Sequence, residues 1–393
     1  MRHLLALSLC GAALWAQAPP PARARGGIFD PALRSPEVSA EGRVTFRLRA
    51  PNAKQVQVSL TERYTMDQDD RGFWAFTTPP LPPDFYPYTF IVDGVTIADP
   101  GNPMLKTTVM GGGQSIVHVP GPPSLSWEIN DVPHGVVSHH FFHSKVTGDD
   151  RDFWVYTPPG YDPKGRTEHP VLYLLHGLSD DASAWTTAGR ANVILDNLIA
   201  QGKAKPMIMV NPLGYGVPHP ENGLAPILAD AGRNREGFTE SLLTEIIPVV
   251  EKTYRVAKDR DHRAIAGLSM GGEQALSIGL NHADEFAYVA GLSSALVMLR
   301  SGPLTPVVPQ PVDTAILQKA FPGVDAKLNS RLHLLYIACG TEDTLLGVNR
   351  QFKDWLKSKD VEFQNVETKG AHTWMVWRRN LTDFAPLLFQ SKK

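Results

Sequence analysis

Cysteine is nearly absent from this chain: two residues in 393, Cys10 and Cys339. Cys10 falls in an apolar leader, so its removal would leave Cys339 alone and exclude an intramolecular disulfide; stability must come from core packing. An excess of charge of one sign is missing too. With 38 basic against 40 acidic side chains, the formal net charge is −2, which gives no footing for nucleic acid or an anionic membrane as partner. Beyond the leader no apolar run approaches the ~20 residues a bilayer-spanning helix needs, so no membrane span is expected. A ligand-rich metal cluster is also lacking. The nearest approach, Val136-Val137-Ser138-His139-His140-Phe141-Phe142-His143, puts His139 and His143 on one strand face and His140 on the other, a poor geometry for three-fold ligation. Neither a metal nor a cofactor is expected.

What the chain does have is an apolar fraction of 42%, over a length greater than one ordinary domain. Met1-Arg2-His3, an apolar run from Leu4 to Trp15 and Ala16-Gln17-Ala18 form the charged, apolar and small-residue parts of a secretory leader. Residues 1–18 therefore read as a signal peptide for export to an extracellular or periplasmic location, and residues 19–34 as a flexible segment. From there the runs Val44-Thr45-Phe46-Arg47-Leu48-Arg49, Gln55-Val56-Gln57-Val58-Ser59-Leu60, Phe73-Trp74-Ala75-Phe76 and Tyr86-Pro87-Tyr88-Thr89-Phe90-Ile91-Val92 alternate at period two. They predict a small all-β sandwich over 35–119. Its Trp74, Tyr86 and Tyr88 are either core aromatics or a platform for sugar. Pro120-Gly121-Pro122-Pro123 opens a linker over 120–134. Residues 135–393 then alternate strand-like and helix-like segments, the pattern of a three-layer α/β domain with a mostly parallel sheet. Thr239-Glu240-Ser241-Leu242 has a capping-box-like opening and reads as a helix start. Residues 296–330, rich in proline and apolar side chains without clear period, are either a lid or a covering excursion.

Gly267-Leu268-Ser269-Met270-Gly271 carries the most chemistry. It follows an apolar strand and runs into a helix, which is the context of a nucleophile elbow. A serine hydroxyl is a weak nucleophile and needs a base within reach, so Ser269 calls for an acid and a histidine later in the chain, in that order. Leu332-His333-Leu334-Leu335-Tyr336-Ile337-Ala338 is a strand opening into Cys339-Gly340-Thr341-Glu342-Asp343, where Asp343 is the candidate acid and Glu342 its competitor. His372, in the loop Lys369-Gly370-Ala371-His372-Thr373-Trp374, is the candidate base. Backbone donors for an oxyanion are expected from Met270, next to the nucleophile, and from Leu178, after the strand Val171-Leu172-Tyr173-Leu174-Leu175-His176-Gly177. His176 precedes the serine and reads as a residue that shapes this loop.

These motifs also form a recognisable set. The stretch from Pro170 through His176-Gly177, Trp185 and Gly189-Arg190-Ala191-Asn192, together with Asp261-His262-Arg263 up to Gly272, Ile337 to Asp343 and Gly370-Ala371-His372, resembles the feruloyl esterase modules attached to bacterial xylanases, in carbohydrate esterase family 1. The preceding region resembles immunoglobulin-like domains related to glycogen-binding modules. The resemblance implies an α/β-hydrolase domain behind an immunoglobulin-like sandwich. It also implies Ser269, Asp343 and His372 as the triad, and feruloylated or acetylated plant polysaccharide as substrate. Trp185, Tyr215, Trp374 and Trp377, with Leu178, are candidates to wall an aromatic acyl group. One departure concerns the acyl pocket: Ser179-Asp180-Asp181 stands where a more glycine-rich turn is expected. Acetylxylan esterases, siderophore esterases (for which Arg233, Arg235 and Arg300 would supply a basic pocket) and a non-catalytic carbohydrate-binding protein are the alternatives. No feature specifies an oligomeric state. Every candidate catalytic residue follows Gly135, so a fragment from Gly135 is expected to keep activity on small esters if it folds alone.

Overall fold

The computed structural model describes residues 34–218, 223–299 and 312–390. The expected leader, and all of the 19–34 segment but its last residue, lie outside them. The period-two runs form two antiparallel sheets. One orders the strands Glu37–Val38, Val44–Arg49, Phe73–Thr77 and Asp67–Gln68; the other orders Arg63–Thr65, Val56–Ser59, Asp84–Val92, Gly113–Val119 and Leu105–Thr107, with Val95–Ile97 beside Asp84–Val92. Their shared core holds Phe46, Val58, Trp74, Tyr88, Phe90 and Val117. Alternation explains the partition, because every second side chain of a strand reaches the same face. For Trp74 and Tyr88 the sugar-platform reading is corrected here. Tyr88 is fully buried and donates its hydroxyl to Asp99, and Trp74 donates its indole N–H to the Ala50 carbonyl inside the sandwich. Tyr86 is 4% exposed, with its hydroxyl given to the Pro82 carbonyl.

The second domain is built on eight strands, labelled β1 Val136–His143, β2 Asp150–Thr157, β3 Val171–Leu175, β4 Ile208–Pro212, β5 Arg263–Leu268, β6 Tyr288–Leu292, β7 Leu334–Gly340 and β8 Gln364–Thr368, in the sheet order β1-β2-β4-β3-β5-β6-β7-β8. The pairs of β1 with β2 and of β2 with β4 are antiparallel, and all later pairs are parallel. Every residue of β3 to β6 is buried. That is why these strands read as unbroken apolar runs: helices cover both faces of a parallel sheet. The three histidines of β1 turn to separate partners, His139 to Asp152, His143 to Asp150 and His140 to the Tyr254 hydroxyl. The helix expected to open at Thr239 begins earlier, at Ala231, capped by the Asp230 carboxylate accepting from the Arg233 N–H, and its helical path continues through a π-helical stretch at Leu242–Ile246 into Ile247–Thr253. Within 296–330, the helix Thr314–Ala320 buries Leu317, and Phe321 and Leu328 join the main core; residues 300–311 lie outside the described segments. Among the described residues no helix is long and apolar enough to cross a membrane.

The two domains meet through buried polar groups. Asp84, at the start of a sandwich strand, accepts from Arg378 at 2.7 Å and from the Trp127 indole at 3.0 Å through one oxygen, and from Arg379 at 3.0 Å through the other. The side chains of Arg378 and Asp84 are each 1% exposed. Arg378 also donates to the carbonyls of Ala188 and Phe85. The 120–134 segment is therefore part of the joint, with Trp127 buried in it and the Arg378 guanidinium 5.6 Å from its ring centre. A fragment starting at Gly135 would strand Arg378 without its carboxylate, a destabilisation that the fragment would have to survive to fold alone. Breaking such a pair from one side costs about 3–5 kcal/mol. Asp84→Asn is accordingly expected to lower the thermal midpoint of the whole chain by several degrees in a single calorimetric transition. An unchanged midpoint would show that the joint is peripheral.

Candidate active site

The turn after β5 sets the geometry. Ser269 has φ 53° and ψ −115° and leads directly into the helix Met270–Asn281, here α1. A side chain at φ above zero is strained, and such strain persists only where surrounding contacts fix it. Here the Ser269 N–H donates to the Leu292 carbonyl, and the Ser269 carbonyl accepts from Ala295. The two flanking glycines are sterically required: a Cβ on Gly267 would stand 2.2 Å from the Gly271 oxygen, and one on Gly271 would stand 2.4 Å from the His176 oxygen. The elbow thus brings α1 back across its own strand and presents the hydroxyl at the end of the sheet.

The β7 and β8 loops deliver the partners. Thr341 N–H donates to the Thr368 carbonyl and Glu342 N–H to the Gly370 carbonyl, so the two loops are tied together. His372 Nδ1 stands 2.8 Å from Asp343 Oδ2, and its Nε2 stands 3.0 Å from Ser269 Oγ. A carboxylate only accepts, so the Nδ1–H donates to Asp343, and Nε2 is left to accept from the serine hydroxyl. The Asp343 side chain is completely buried. Burial opposes its charge, yet the hydrogen bond and attraction of His372 and the Leu345 N–H hold its carboxyl below the usual range. Glu342, the competitor, is exposed at the rim of the cleft, and the bond it makes among the described residues is from its N–H to the Gly370 carbonyl. Ser293, at φ 48°, accepts the Trp377 indole N–H, and the Trp377 ring packs edge-on against His372 with centres 4.9 Å apart. Sequence reading had not found Ser293, because a lone serine after a strand carries no local signal.

The 177–181 turn lies beside the serine. His176 is buried, and burial pushes its imidazole toward the neutral form. Its Nε2 accepts from the Gly214 N–H at 2.8 Å, so its Nδ1 donates to the Gly177 carbonyl at 2.8 Å. In a trans peptide the C=O and the following N–H point in opposite directions. Fixing the Gly177 carbonyl therefore fixes the Leu178 N–H. Met270 opens α1, so no earlier turn offers its N–H a carbonyl within the helix. The acidic residues that break the expected glycine-rich pattern are engaged: Asp180 pairs with Lys106 and Asp181 accepts from Thr107, both from the sandwich.

A cleft of about 910 Å³ runs between the domains, lined on one side by Leu178, Ser269, His372, Trp374 and Trp377 and on the other by Leu60, Tyr86, Pro87 and Gln114. Two expected wall residues are not among its lining. Trp185 is fully buried with its indole N–H donated to the Leu175 carbonyl, and Tyr215 is 2% exposed with its hydroxyl donated to the Asp180 carbonyl. Both pack inside the catalytic domain away from the cleft. Of the arginines suggested for a basic pocket, Arg235 pairs with Glu273 in another groove, Arg233 is exposed near the start of its helix, and Arg300 lies outside the described residues.

Residues 144–388 match the family described as "Putative esterase". The chain belongs to this esterase family. It is 30% identical over 92% of its length to an endo-1,4-beta-xylanase/feruloyl esterase of Xylanibacter ruminicola, of which it spans 46%. Among solved structures it resembles a ferulic acid esterase of carbohydrate esterase family 1 from Anaeromyces mucronatus, in complex with ferulic acid, at 25% identity and a TM-score of 0.56, covering 67% of this chain and 93% of that one. The enterochelin esterase of Shigella flexneri shares the fold over 90% of this chain and 94% of its own, at 19% identity and a TM-score of 0.67. The carboxylates of the esterase site are then separable by experiment. Asp343→Asn is expected to keep the fold while turnover falls up to about ten-thousandfold, as loss of the orienting acid does in serine hydrolases. Glu342→Gln is expected to stay within a few fold. The reverse ranking in steady-state kinetics would transfer the role from Asp343 to Glu342.

Proposed function

We propose that the protein is an exported serine esterase that cleaves feruloyl or related hydroxycinnamoyl esters on plant xylan. The observation that carries this reading is the continuous relay from buried Asp343 through His372 to Ser269, ending in a wide cleft with aromatic walls. In the first step Ser269 Oγ attacks the ester carbonyl carbon while His372 Nε2 takes the hydroxyl proton. Negative charge builds on the carbonyl oxygen, where the N–H groups of Met270 and Leu178 receive it. Collapse breaks the bond to the sugar oxygen, which takes the proton from His372 and leaves. Water then repeats the sequence on the acyl-enzyme, and the carboxylic acid departs.

Two features favour an aromatic acyl group, and a third favours a plant polymer as its carrier. An acetyl group would leave most of the cleft empty, whereas Trp374, Trp377, Tyr86 and Pro87 give a planar ring apolar surface to cover. The similarity to the xylanase/feruloyl esterase extends over both domains, and the Anaeromyces enzyme binds ferulic acid. Export, read from residues 1–18, would put the enzyme where a plant polymer is met. Ser269→Ala is expected to fold normally and lose at least about a thousandfold in turnover, with His372→Ala similar and the double variant little worse, since nucleophile and base act as a unit. Methyl ferulate is expected to show a higher kcat/KM than the matching acetate ester, because burying the ring adds binding on the acyl side of the transition state. Preference for the acetate ester would contradict the feruloyl reading and leave the nucleophile assignment standing.

A further inference from the structure

The turn that carries Leu178 is held from two sides, and one side is the other domain. Ser179 has φ 72°, the left-handed region that a residue with a side chain enters only when its surroundings enforce it. From the catalytic domain, His176 and the Asp180 N–H bond the Gly177 carbonyl, and the Tyr215 hydroxyl bonds the Asp180 carbonyl. Three further ties come from the end of the sandwich. The Lys106 ammonium pairs with the Asp180 carboxylate, the Thr107 hydroxyl donates to Asp181, and the Val109 N–H donates to the Ser179 carbonyl at 3.1 Å. The side chains of Lys106 and Asp180 are only 3% and 9% exposed. Solvent therefore screens this pair little, and neither partner finds a substitute in water when the other is removed.

Geometry also links this pair to the reacting atoms. Asp180 is two residues from Leu178, and a Cβ placed on Gly177 would stand 3.4 Å from the Ser269 Cβ and 3.8 Å from the Asp180 carboxylate. The nucleophile, the 177–178 peptide and the interdomain pair thus share one small volume. We propose that Lys106 of the sandwich is a positioning residue for ester hydrolysis: by holding Asp180 across the domain joint it keeps the 177–181 turn in the conformation that aims the Leu178 N–H at the oxygen of the attacked carbonyl. The sandwich is then a working part of the oxyanion site. It also accounts for the acidic pair standing where a glycine-rich turn was expected: a looser turn is replaced by one braced from the neighbouring domain. The inference rests on Ser269 as nucleophile and Leu178 as donor.

Both acylation and deacylation pass through a tetrahedral intermediate, so a misaimed donor lowers kcat whichever step limits. Full-length Lys106→Met/Asp180→Asn removes both charges and leaves no unpaired ion in the joint. On methyl ferulate its kcat is expected to fall at least about tenfold with KM within about threefold, since loss of one oxyanion donor costs on the order of a hundredfold or more. Affinity for a boronic acid, whose tetrahedral serine adduct places an oxygen in the same position, is expected to fall in step. Lys106→Arg, which keeps the charge, should retain most activity. A folded double variant with kcat within twofold of the parent and unchanged boronate affinity overturns the proposal, because glue between domains would alter only the thermal midpoint. If the double variant does not fold, Thr107→Val decides from an exposed position: a kcat lowered about threefold or more supports the brace, and an unchanged kcat refutes it. Failure of the underlying reading looks different, since Ser269→Ala would then retain turnover.

Discussion

A serine held at φ 53° and ψ −115° between a strand and a helix is the constraint on which the rest depends. The backbone does not adopt this conformation unaided; it is maintained because β5 is pinned inside the sheet and α1 packs back over it with Gly267 against Gly271 at the closest approach. Given that turn, the hydroxyl emerges at the C-terminal end of the sheet. In open α/β sheets ligands bind in the crevice outside the carboxyl ends of the strands, because the connecting loops diverge there. Asp343 and His372 come from loops after β7 and β8 on the same edge, and the 177–181 turn follows β3. One rigid sheet thus sets the distances among four separate pieces of chain.

Much of this was legible in the sequence, because its causes are local. The glycines around Ser269, the apolar strand before it and the order of serine, acid and histidine all follow from rules that act within a few residues. Four sandwich strands were readable from alternation for the same reason. The strands Leu105–Thr107 and Gly113–Val119 were not, since the first is only three residues long and the second opens on Gly113-Gln114-Ser115 and carries little alternation. The start of the helix at Ala231 was missed as well: Gly232 and several charged residues fill its first turns, so the capping residue Asp230 resembles a loop carboxylate.

What could not be read were the long-range polar pairs. Asp84 and Arg378 are 294 positions apart, and a lone aspartate or arginine in a sequence looks like solvated surface. Burial of such groups is tolerated only with a partner, and the partner is a property of the fold. Aromatic roles were hidden for a related reason. Trp185, Trp374 and Trp377 form a chain of edge-to-face contacts from the core to His372, and nothing in their local patterns marks which one meets the cleft. The resulting enzyme is one in which the sandwich packs Phe85 and Ile116 into a core of the catalytic domain and shares buried polar pairs with it.

The central claim, that Ser269 is the acyl-accepting nucleophile of an aromatic-walled esterase site, is tested most directly by covalent capture. The full-length protein is treated with a fluorophosphonate, digested and mapped by mass spectrometry, with and without excess ferulic acid. The account predicts a single adduct on the peptide containing Ser269, its formation slowed by ferulic acid and abolished in the His372→Ala variant. An adduct on another residue, or labelling of Ser269 at an unchanged rate without His372, would contradict it.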